Sequence, residues 1–500
     1  MTGFVRRLSF AALALAAMQA ALPQGATAQE VRLTSTDNVV SLTGRLVSHD
    51  QAQYVIEGRL GTIAVPADQV ICEGEGCPAP TDISTRMRIV GAPDMLRAAL
   101  PEFLDAYSLA VDTDILRDET EDGRPIYRLM SFEGETVVEA VLDPADAAAT
   151  FDALASGEAA LGLVGRRISP AEAAGMGSED IAAFEELGLE RIIGYDGIVA
   201  VVGSEVPVRT LSLQQLAQIY SGQITNWSAL GGPDMPISTF TREPGSGVRA
   251  LLDELVMFPA GAAVGENVIT VDSDRGVVRA VETFRNGIGM TSVTELNGLR
   301  AVAIPDVCGR AIMPSAASVK TGIYPLSKPV YLYGAPSELP VHARGLMDFA
   351  VTSVGQQVLR ATGYVDMLPE KATVAAPDGS DALIEGAARL TSTFHALPGR
   401  EPLDIHGLNA LAILAEHIGS ESGRNNEYIF VGLEDDQGAA RVAARRLLRV
   451  LFTEHPEIEE QFDVAFRVGG AEPQYFGECP AAIPTDRTLV QVWQRPLTGG

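Results

Sequence analysis

The sequence predicts an α/β protein, with a small β-domain before it and an α+β domain after it. Residues 29 to 80 alternate short apolar segments with turns, a pattern typical of β-structure. From Met87 onward, strand-like and helix-like segments alternate, which indicates an α/β domain. Residues 386 to 500 differ in character and follow a segment that is rich in alanine and proline.

Length, composition and charge limit the classes of function. The chain has 500 residues, which allows about three domains, and it is 46% hydrophobic and 20% charged, as in ordinary globular proteins. Its formal net charge of −28 argues against nucleic acid or an anionic membrane surface as a partner, because those partners require basic patches. A small anion is not excluded, since salt screens distant surface charges beyond ~10 Å.

Residues 1–28 are predicted to be a cleavable signal peptide. An arginine pair precedes the apolar run Leu8–Leu22, and the small residues 26–28 suit cleavage before Gln29. A membrane anchor is the rival interpretation, but Gln19 interrupts the run, which is shorter than the ~20 apolar residues of a spanning helix. We therefore expect export to the periplasm.

The small β-domain is predicted over residues 29–82. Its expected strands are Val39–Leu42, Gly44–Val47, Tyr54–Glu57 and Thr62–Val65. Cys72 and Cys77 are expected to form a disulfide that closes the end of this domain. A metal site is the rival interpretation, but four cysteines in all and no nearby histidine supply too few ligands. The remaining Cys308 and Cys479 are expected to bridge the last two domains.

The α/β domain is expected over residues 83–370. It opens with a strand at Arg88–Val90, a turn at residues 91–94, and a helix whose apolar positions begin at Met95. A second lobe is expected to begin near Gly194. The chain would then return to the first lobe through Leu299–Ile304, which places a cleft between the lobes.

The segment from residue 211 to residue 256 carries the candidate ligand site. A short apolar strand is expected at Pro236–Phe240 and delivers Arg242 to its carboxyl end. A Gly-Ser-Gly loop, residues 245–247, then precedes an amphipathic helix with apolar positions from Val248 onward. Free N–H groups at a helix start favour an anion, and Arg242 adds a fixed positive charge. A loop that only caps a helix is the alternative interpretation.

This segment closely resembles the phosphate-binding periplasmic proteins of ABC importers. The phrase IYSGQITNW, a Gly-Gly-Pro turn, a strand and an R-x-x-G-S-G loop follow in the order found in that family. The segments GIYPLSKPVYLY, from Gly322, and MDFAVTSVGQQVLRATGYVDM, from Met347, are similar to that family's closing segments. The resemblance covers roughly residues 85–370 and implies a two-lobed type II periplasmic-binding-protein fold. It also implies a solute-binding protein, not an enzyme, that captures phosphate or a related oxyanion for an ABC importer permease.

The resemblance also implies the ligand-binding residues. They are Ala92, Pro93 and Asp94 in the first lobe, and Arg242, Gly245, Ser246, Gly247 and Val248 in the second. The chain departs from the family at several of these positions. The carboxylate of Asp94 would repel a fully ionised phosphate unless a proton is shared, and Ala160 stands where the family has an aspartate. These departures favour the alternative of a non-transport envelope scaffold or sensor. No cofactor or metal is expected, and the six histidines are expected to be solvated or to cap helices.

The C-terminal part is expected to be a linker, residues 371–385, followed by residues 386–500 as a domain. Its order of helix, strand, acidic turn at residues 434–438, basic helix and closing strand resembles OmpA-like peptidoglycan-associated domains. That resemblance implies that Asp435 and Arg446 hold a diaminopimelate group of peptidoglycan and associate the protein with the cell wall or outer membrane. An arginine-rich solvated helix face is the alternative interpretation.

Overall fold

The computed structural model describes most of the chain from Glu30 to Leu497. The described residues are 30–35, 41–49, 53–58, 61–66, 70–74, 77, 85–178, 181, 183–184, 187–296, 298–336, 339–372, 383–398, 403–461, 464–473 and 487–497. The predicted signal peptide and most of the predicted linker lie outside these ranges. The chain divides into two compact units, Met1–Asp82 and Ile83–Gly500. Within the described ranges, no helix combines the length and apolarity needed to cross a membrane.

The first unit contains an antiparallel sheet in the order β4-β3-β2-β1-β5. Its strands are β1 Glu30–Ser35, β2 Ser41–His49, β3 Gln53–Gly58, β4 Gly61–Pro66 and β5 Val70–Glu73. The strands predicted at Val39–Leu42 and Gly44–Val47 are wrong as separate elements, because β2 continues through Gly44. A Cβ at Gly44 would lie 2.8 Å from the Glu57 carbonyl oxygen, so glycine permits the close approach of β3. A disulfide joins Cys72 to Cys77.

The two-lobed domain forms the larger part of the second unit. Its strands are β6 Thr85–Gly91, β7 Asp114–Glu119, β8 Pro125–Met130, β9 Thr136–Pro144, β10 Leu161–Val164, β11 Glu190–Val202, β12 Ser238–Arg242, β13 Val268–Val271, β14 Gly287–Ser292, β15 Arg300–Ala301, β16 Ile304–Pro305, β17 Ala311–Ile312 and β18 Ser327–Gly334. Its helices are α1 Pro93–Ala110, α2 Ala147–Ala155, α3 Pro170–Gly175, α4 Leu213–Tyr220, α5 Gly247–Leu252, α6 Asp274–Thr283, α7 Ala316–Lys320, α8 Val341–Ala350 and α9 Ser353–Ala361.

Strand β11 joins the two lobes. Its first part, Glu190–Gly197, pairs with β18 in the first lobe, and its second part, Ile198–Val202, pairs with β14 in the second lobe. The full strand order is β13-β12-β14-β11-β18-β10-β6-β9-β8-β7, and separate hydrophobic cores lie in the two lobes. The prediction of a two-lobed α/β domain is therefore confirmed.

The predicted return to the first lobe at Leu299–Ile304 is wrong. Strand β15 pairs with the second-lobe end of β11, and Val302 and Ile304 are fully buried in the core of that lobe. The chain returns only at β18. The sequence of an apolar segment does not show which lobe's core it joins. The return to the first lobe was therefore predicted too early in the chain.

The C-terminal part forms a smaller domain with a mixed sheet in the order β19-β22-β20-β21. Its elements are β19 Ala388–Ala396, α10 Ile405–Gly419, β20 Asn426–Leu433, α11 Gln437–Glu454, α12 Glu457–Gln461, β21 Ala465–Ala471 and β22 Thr488–Pro496. The acidic turn predicted at residues 434–438 ends earlier, because the Asp436 carboxylate accepts N–H bonds from Gly438 and Ala439 and so caps α11.

The C-terminal domain contacts the first lobe through His406, which sequence reasoning expected to be solvated or to cap a helix. The His406 Nε2 atom lies 2.7 Å from Oε1 of the fully buried Glu190, and the Ile192 N–H donates to His406 Nδ1 at 3.3 Å. Although burial opposes it, hydrogen bonds from His406 and Tyr333 hold the pKa of Glu190 below its usual value. The expectation for His406 is therefore wrong.

The same domain contacts the second lobe. Helix α7 lies against β19, and the ammonium group of Lys320 in α7 donates to the Glu370 carboxylate at 2.9 Å. The backbone of Glu370 in turn exchanges hydrogen bonds with Thr391 of β19. Cys308 of the second lobe is disulfide-bonded, while its predicted partner Cys479 lies outside the described residues. The C-terminal domain thus touches both lobes.

Candidate functional site

A cavity of about 340 Å³ lies between the two lobes. Four of the predicted ligand-binding residues line it, namely Asp94 from the first lobe and Arg242, Gly247 and Val248 from the second. The cavity therefore brings together residues that are separated by about 150 positions in the chain.

The backbone N–H of Gly247 already holds an anionic oxygen. Gly247 is the first residue of α5, and its N–H donates to Oδ2 of Asp94 across the cleft. The helical backbone continues beyond α5 through the π-helix Asp253–Met257, and Gly247 lies at the positive, amino-terminal end of this helical segment. The Asp94 carboxylate therefore occupies the N–H donor at the start of α5.

Arg242 faces the same cavity with its charge balanced by two carboxylates. Its Nη1 donates to Asp274 at 2.7 Å, and its Nε and Nη2 donate to Glu243 at 3.1 and 2.9 Å. Burial raises the pKa of Asp274, while Arg242 opposes that shift. A guanidinium has five N–H donors, so two donors of Arg242 are not used in these three bonds.

The other predicted ligand residues are placed differently. The Ser246 hydroxyl donates to the Glu243 carbonyl at 2.9 Å and accepts from the Arg249 N–H, so it caps α5. Gly245 has a φ of 91°, which favours glycine, and it lines a second cavity beside the cleft. In the first lobe, the Ala92 N–H donates to the Leu163 carbonyl, and Pro93 opens α1 without an N–H to offer.

Three acidic residues that line the cavity were missed from the sequence, namely Asp196, Asp274 and Glu295. Asp196 lies in the middle of β11, and burial raises its pKa to about 6, with the negative charges of Asp274 and Asp94 adding to the shift. Asp274 begins α6 shortly after β13 ends. An acidic residue just beyond the carboxyl end of a parallel strand is a signal that could have identified Asp274.

The expectation about Ala160 is corrected by its position. Ala160 immediately precedes β10, and its N–H donates to the Arg88 carbonyl in β6, which runs parallel to β10. The cleft lies beyond the opposite, carboxyl ends of these two strands. The cleft-side position after β10 is Gly165, where a Cβ would lie 2.9 Å from the Lys328 ammonium nitrogen. The acidic residues that line the cavity are Asp94, Asp196, Asp274 and Glu295.

The two residues predicted to bind peptidoglycan are both exposed. Asp435 lies just before the cap of α11, and Arg446 lies within that helix. At a rise of 1.5 Å per residue, Arg446 lies about 14 Å along the helix axis from its first residue. No hydrogen bond or ion pair joins Asp435 to Arg446 in the described part of this domain.

Comparison with known proteins finds similarity in the two-lobed part of the chain. A family model described as the PBP superfamily domain matches residues 122–353. Protein SphX of Synechococcus elongatus is 27% identical over 213 residues, which cover 40% of this chain and 62% of that protein. Phosphate-binding protein PstS of Bacillus subtilis is 28% identical over 205 residues, which cover 40% of this chain and 66% of that protein. The match thus spans just under two thirds of either relative.

Solved structures match a larger share of this chain than these relatives do. An ABC-type phosphate transport receptor from Vibrio cholerae covers 56% of this chain and 99% of its own length, with 19% identity and a TM-score of 0.42. PstS from Borrelia burgdorferi covers 57% of this chain and 99% of its own length, with 16% identity and a TM-score of 0.43. The similarity to known proteins thus lies in the two-lobed part of the chain, where the family model matches residues 122–353.

Proposed function

We propose that this protein is an extracytoplasmic solute-binding protein for phosphate or a related oxyanion, and that it delivers the solute to an ABC importer. The observation that carries the proposal is the Gly247 N–H, which holds an anionic carboxylate oxygen of Asp94 beside the Arg242 guanidinium. Backbone donors at a helix start and one arginine are sufficient to bind a small oxyanion. The relatives named as phosphate-binding proteins support the same class of solute.

In this proposal the solute replaces Asp94 at the Gly247 N–H. One oxygen accepts from Gly247, and a second accepts from the free donors of Arg242. The lobes are held together beside this site by Thr294, which donates to the Gly363 carbonyl at 3.1 Å, and by the Lys328–Glu254 ion pair. Entry of a solute requires the Asp94 contact to break, and lobe opening would provide the path.

A calorimetric titration tests the proposal. The mature, exported protein is titrated separately with inorganic phosphate, sulfate and a phosphonate. We expect saturable binding of phosphate, with one solute bound per chain. If none of these oxyanions produces heat or shifts the melting temperature, the solute-binding function is wrong.

A second candidate function is favoured by the same Asp94 contact, because a cleft filled by its own carboxylate needs no solute. The protein would then be an envelope scaffold or sensor that keeps the binding-protein fold and is anchored by its C-terminal domain. Export by the predicted signal peptide, residues 1–28, and a cell-wall contact through Asp435 and Arg446 belong to this proposal.

Retention on purified peptidoglycan tests the wall contact. We expect weak retention of the mature protein, and loss of that retention in both Asp435→Ala and Arg446→Ala, because one carboxylate and one guanidinium would be the charged contacts. Arg441→Ala, at another exposed position of α11, is the matched control and should be retained like the wild type. Unchanged retention of the Asp435→Ala, Arg446→Ala double variant would contradict the assignment.

A further inference from the structure

We call the cavity between the lobes, lined by Asp94, Arg242 and Gly247, the oxyanion cavity. A second cavity, of about 610 Å³, adjoins it. We call it the apolar annex. Its apolar wall residues come from the start of α1, from the β8 and β9 strands, and from the loop before α5: Pro93, Leu96, Pro125, Leu142, Pro144 and Pro244. Asp94 and Arg97 line both cavities. The annex and the oxyanion cavity therefore share a wall within one cleft.

The annex differs chemically from its neighbour. Four of its wall residues are prolines, which have no N–H to donate and whose fixed φ makes the wall stiff. Its charged side chains are Asp94, Arg97 and Glu243, and two of these three are shared with the oxyanion cavity. Such a surface offers apolar contact to a solute and little hydrogen bonding.

The loop between β12 and α5 divides the two cavities. Gly245 and Pro244 face the annex, whereas Gly247 faces the oxyanion cavity. A phosphoryl group on the Gly247 N–H therefore lies within two residues of the annex wall. Any substituent on that group that points along this loop enters the annex.

We propose that the solute is an organic phosphate or phosphonate whose apolar substituent occupies the annex. This inference rests on the proposed oxyanion function of the cleft. Inorganic phosphate would use the polar cavity alone and leave the annex without a function. The two cavities, of 340 and 610 Å³, each fall within the size range of small-molecule sites, and a solute with one charged and one apolar end matches both.

Arg97 fits the same solute class. Its side chain is 73% exposed at the boundary of the two cavities, and its Nη2 lies 3.4 Å from Oδ1 of Asp94. When a phosphoryl oxygen takes the Gly247 N–H, Arg97 is in place to pair with the displaced carboxylate. A charged head group can then enter the cleft without leaving Asp94 unpaired.

The test compares two phosphonates with the same head group. Methylphosphonate and phenylphosphonate are titrated into the mature protein alongside inorganic phosphate. We expect phenylphosphonate to bind at least tenfold more tightly than methylphosphonate, because its ring buries apolar surface in the annex. Pro125→Glu and Pro144→Glu, two exposed wall positions, should each remove this advantage and leave methylphosphonate binding unchanged. Ala148→Glu adds the same charge to an exposed position of α2 and is the matched control.

The outcomes separate this inference from the proposed function. If phosphate binds but phenylphosphonate binds no more tightly than methylphosphonate, the organic substituent is excluded and oxyanion binding stands. A phenylphosphonate advantage that survives in the wall variants that fold would also overturn the inference, because the ring would then lie elsewhere. If neither phosphate nor either phosphonate binds, the proposed function itself fails.

Discussion

Phosphate binding should weaken by about ten- to a hundredfold in Arg242→Ala. The guanidinium is expected to make charge-assisted hydrogen bonds to the solute, and a hydrogen bond to a charged group contributes about 1.5–3 kcal/mol. The loss also leaves Asp274 without its 2.7 Å partner, so the carboxylate of Asp274 faces the solute without a compensating positive charge. Calorimetric titration of phosphate into the variant measures the change in Kd.

The chain offers a closely matched control for this variant. Arg249 lies in α5, its side chain is 16% exposed like that of Arg242, and it pairs with Asp253 at 3.0 Å, but it does not line the cavity. Arg249→Ala should therefore lose an ion pair and some stability while it keeps phosphate affinity. Equal affinities in Arg242→Ala and in the wild type would remove Arg242 from the site.

Asp94→Ala is expected to have the opposite effect and to tighten phosphate binding by about tenfold or more. In the wild type, a solute must first displace the carboxylate from the Gly247 N–H, a charge-assisted contact of about 1.5–3 kcal/mol. Alanine removes that competitor and also one of the carboxylates that line the cavity. Sulfate should gain at least as much as phosphate, because it carries no proton to share with Asp94.

Glu102→Gln is the control for the loss of charge. Glu102 is exposed on α1, the helix that begins beside Asp94, and it does not line the cavity. Its substitution changes the net charge by the same amount and should leave affinity unchanged. If phosphate binds more weakly to Asp94→Ala than to the wild type, Asp94 is a ligand that accepts a proton from the solute and is not a competitor.

The second-lobe half of the candidate site could be predicted because its information is local. Arg242 at a strand end and Gly247 at a helix start lie within six residues of the chain, and strand, loop and helix patterns fix their relative positions. Both residues line one cavity, as expected. The proline-rich wall is assembled from the start of α1, the paired strands β8 and β9, and the loop before α5, so no local sequence pattern predicts it.

The first-lobe half of the candidate site was harder to predict from the sequence, because it depends on contacts between distant segments. The resemblance matched Ala160 to an aspartate of the family, but Ala160 precedes β10 and therefore lies at the edge of the sheet opposite the cleft. The contact between Asp94 and Gly247 joins residues 153 positions apart and depends on how the lobes meet. His406 was treated as solvated because its partner Glu190 lies in another domain, 216 positions away.

The C-terminal domain contacts both lobes, and these contacts would restrict the motion of one lobe relative to the other. His406 of this domain is hydrogen-bonded to β11, the strand that joins the two lobes, while β19 lies against α7 of the second lobe. A domain that contacts both lobes restricts their relative rotation, because a wide rotation would break its contacts with one lobe or the other. If the cleft binds a solute as proposed, exchange of that solute would proceed through a narrow opening angle unless the C-terminal domain detaches, and a force applied to that domain would be transmitted to the cleft.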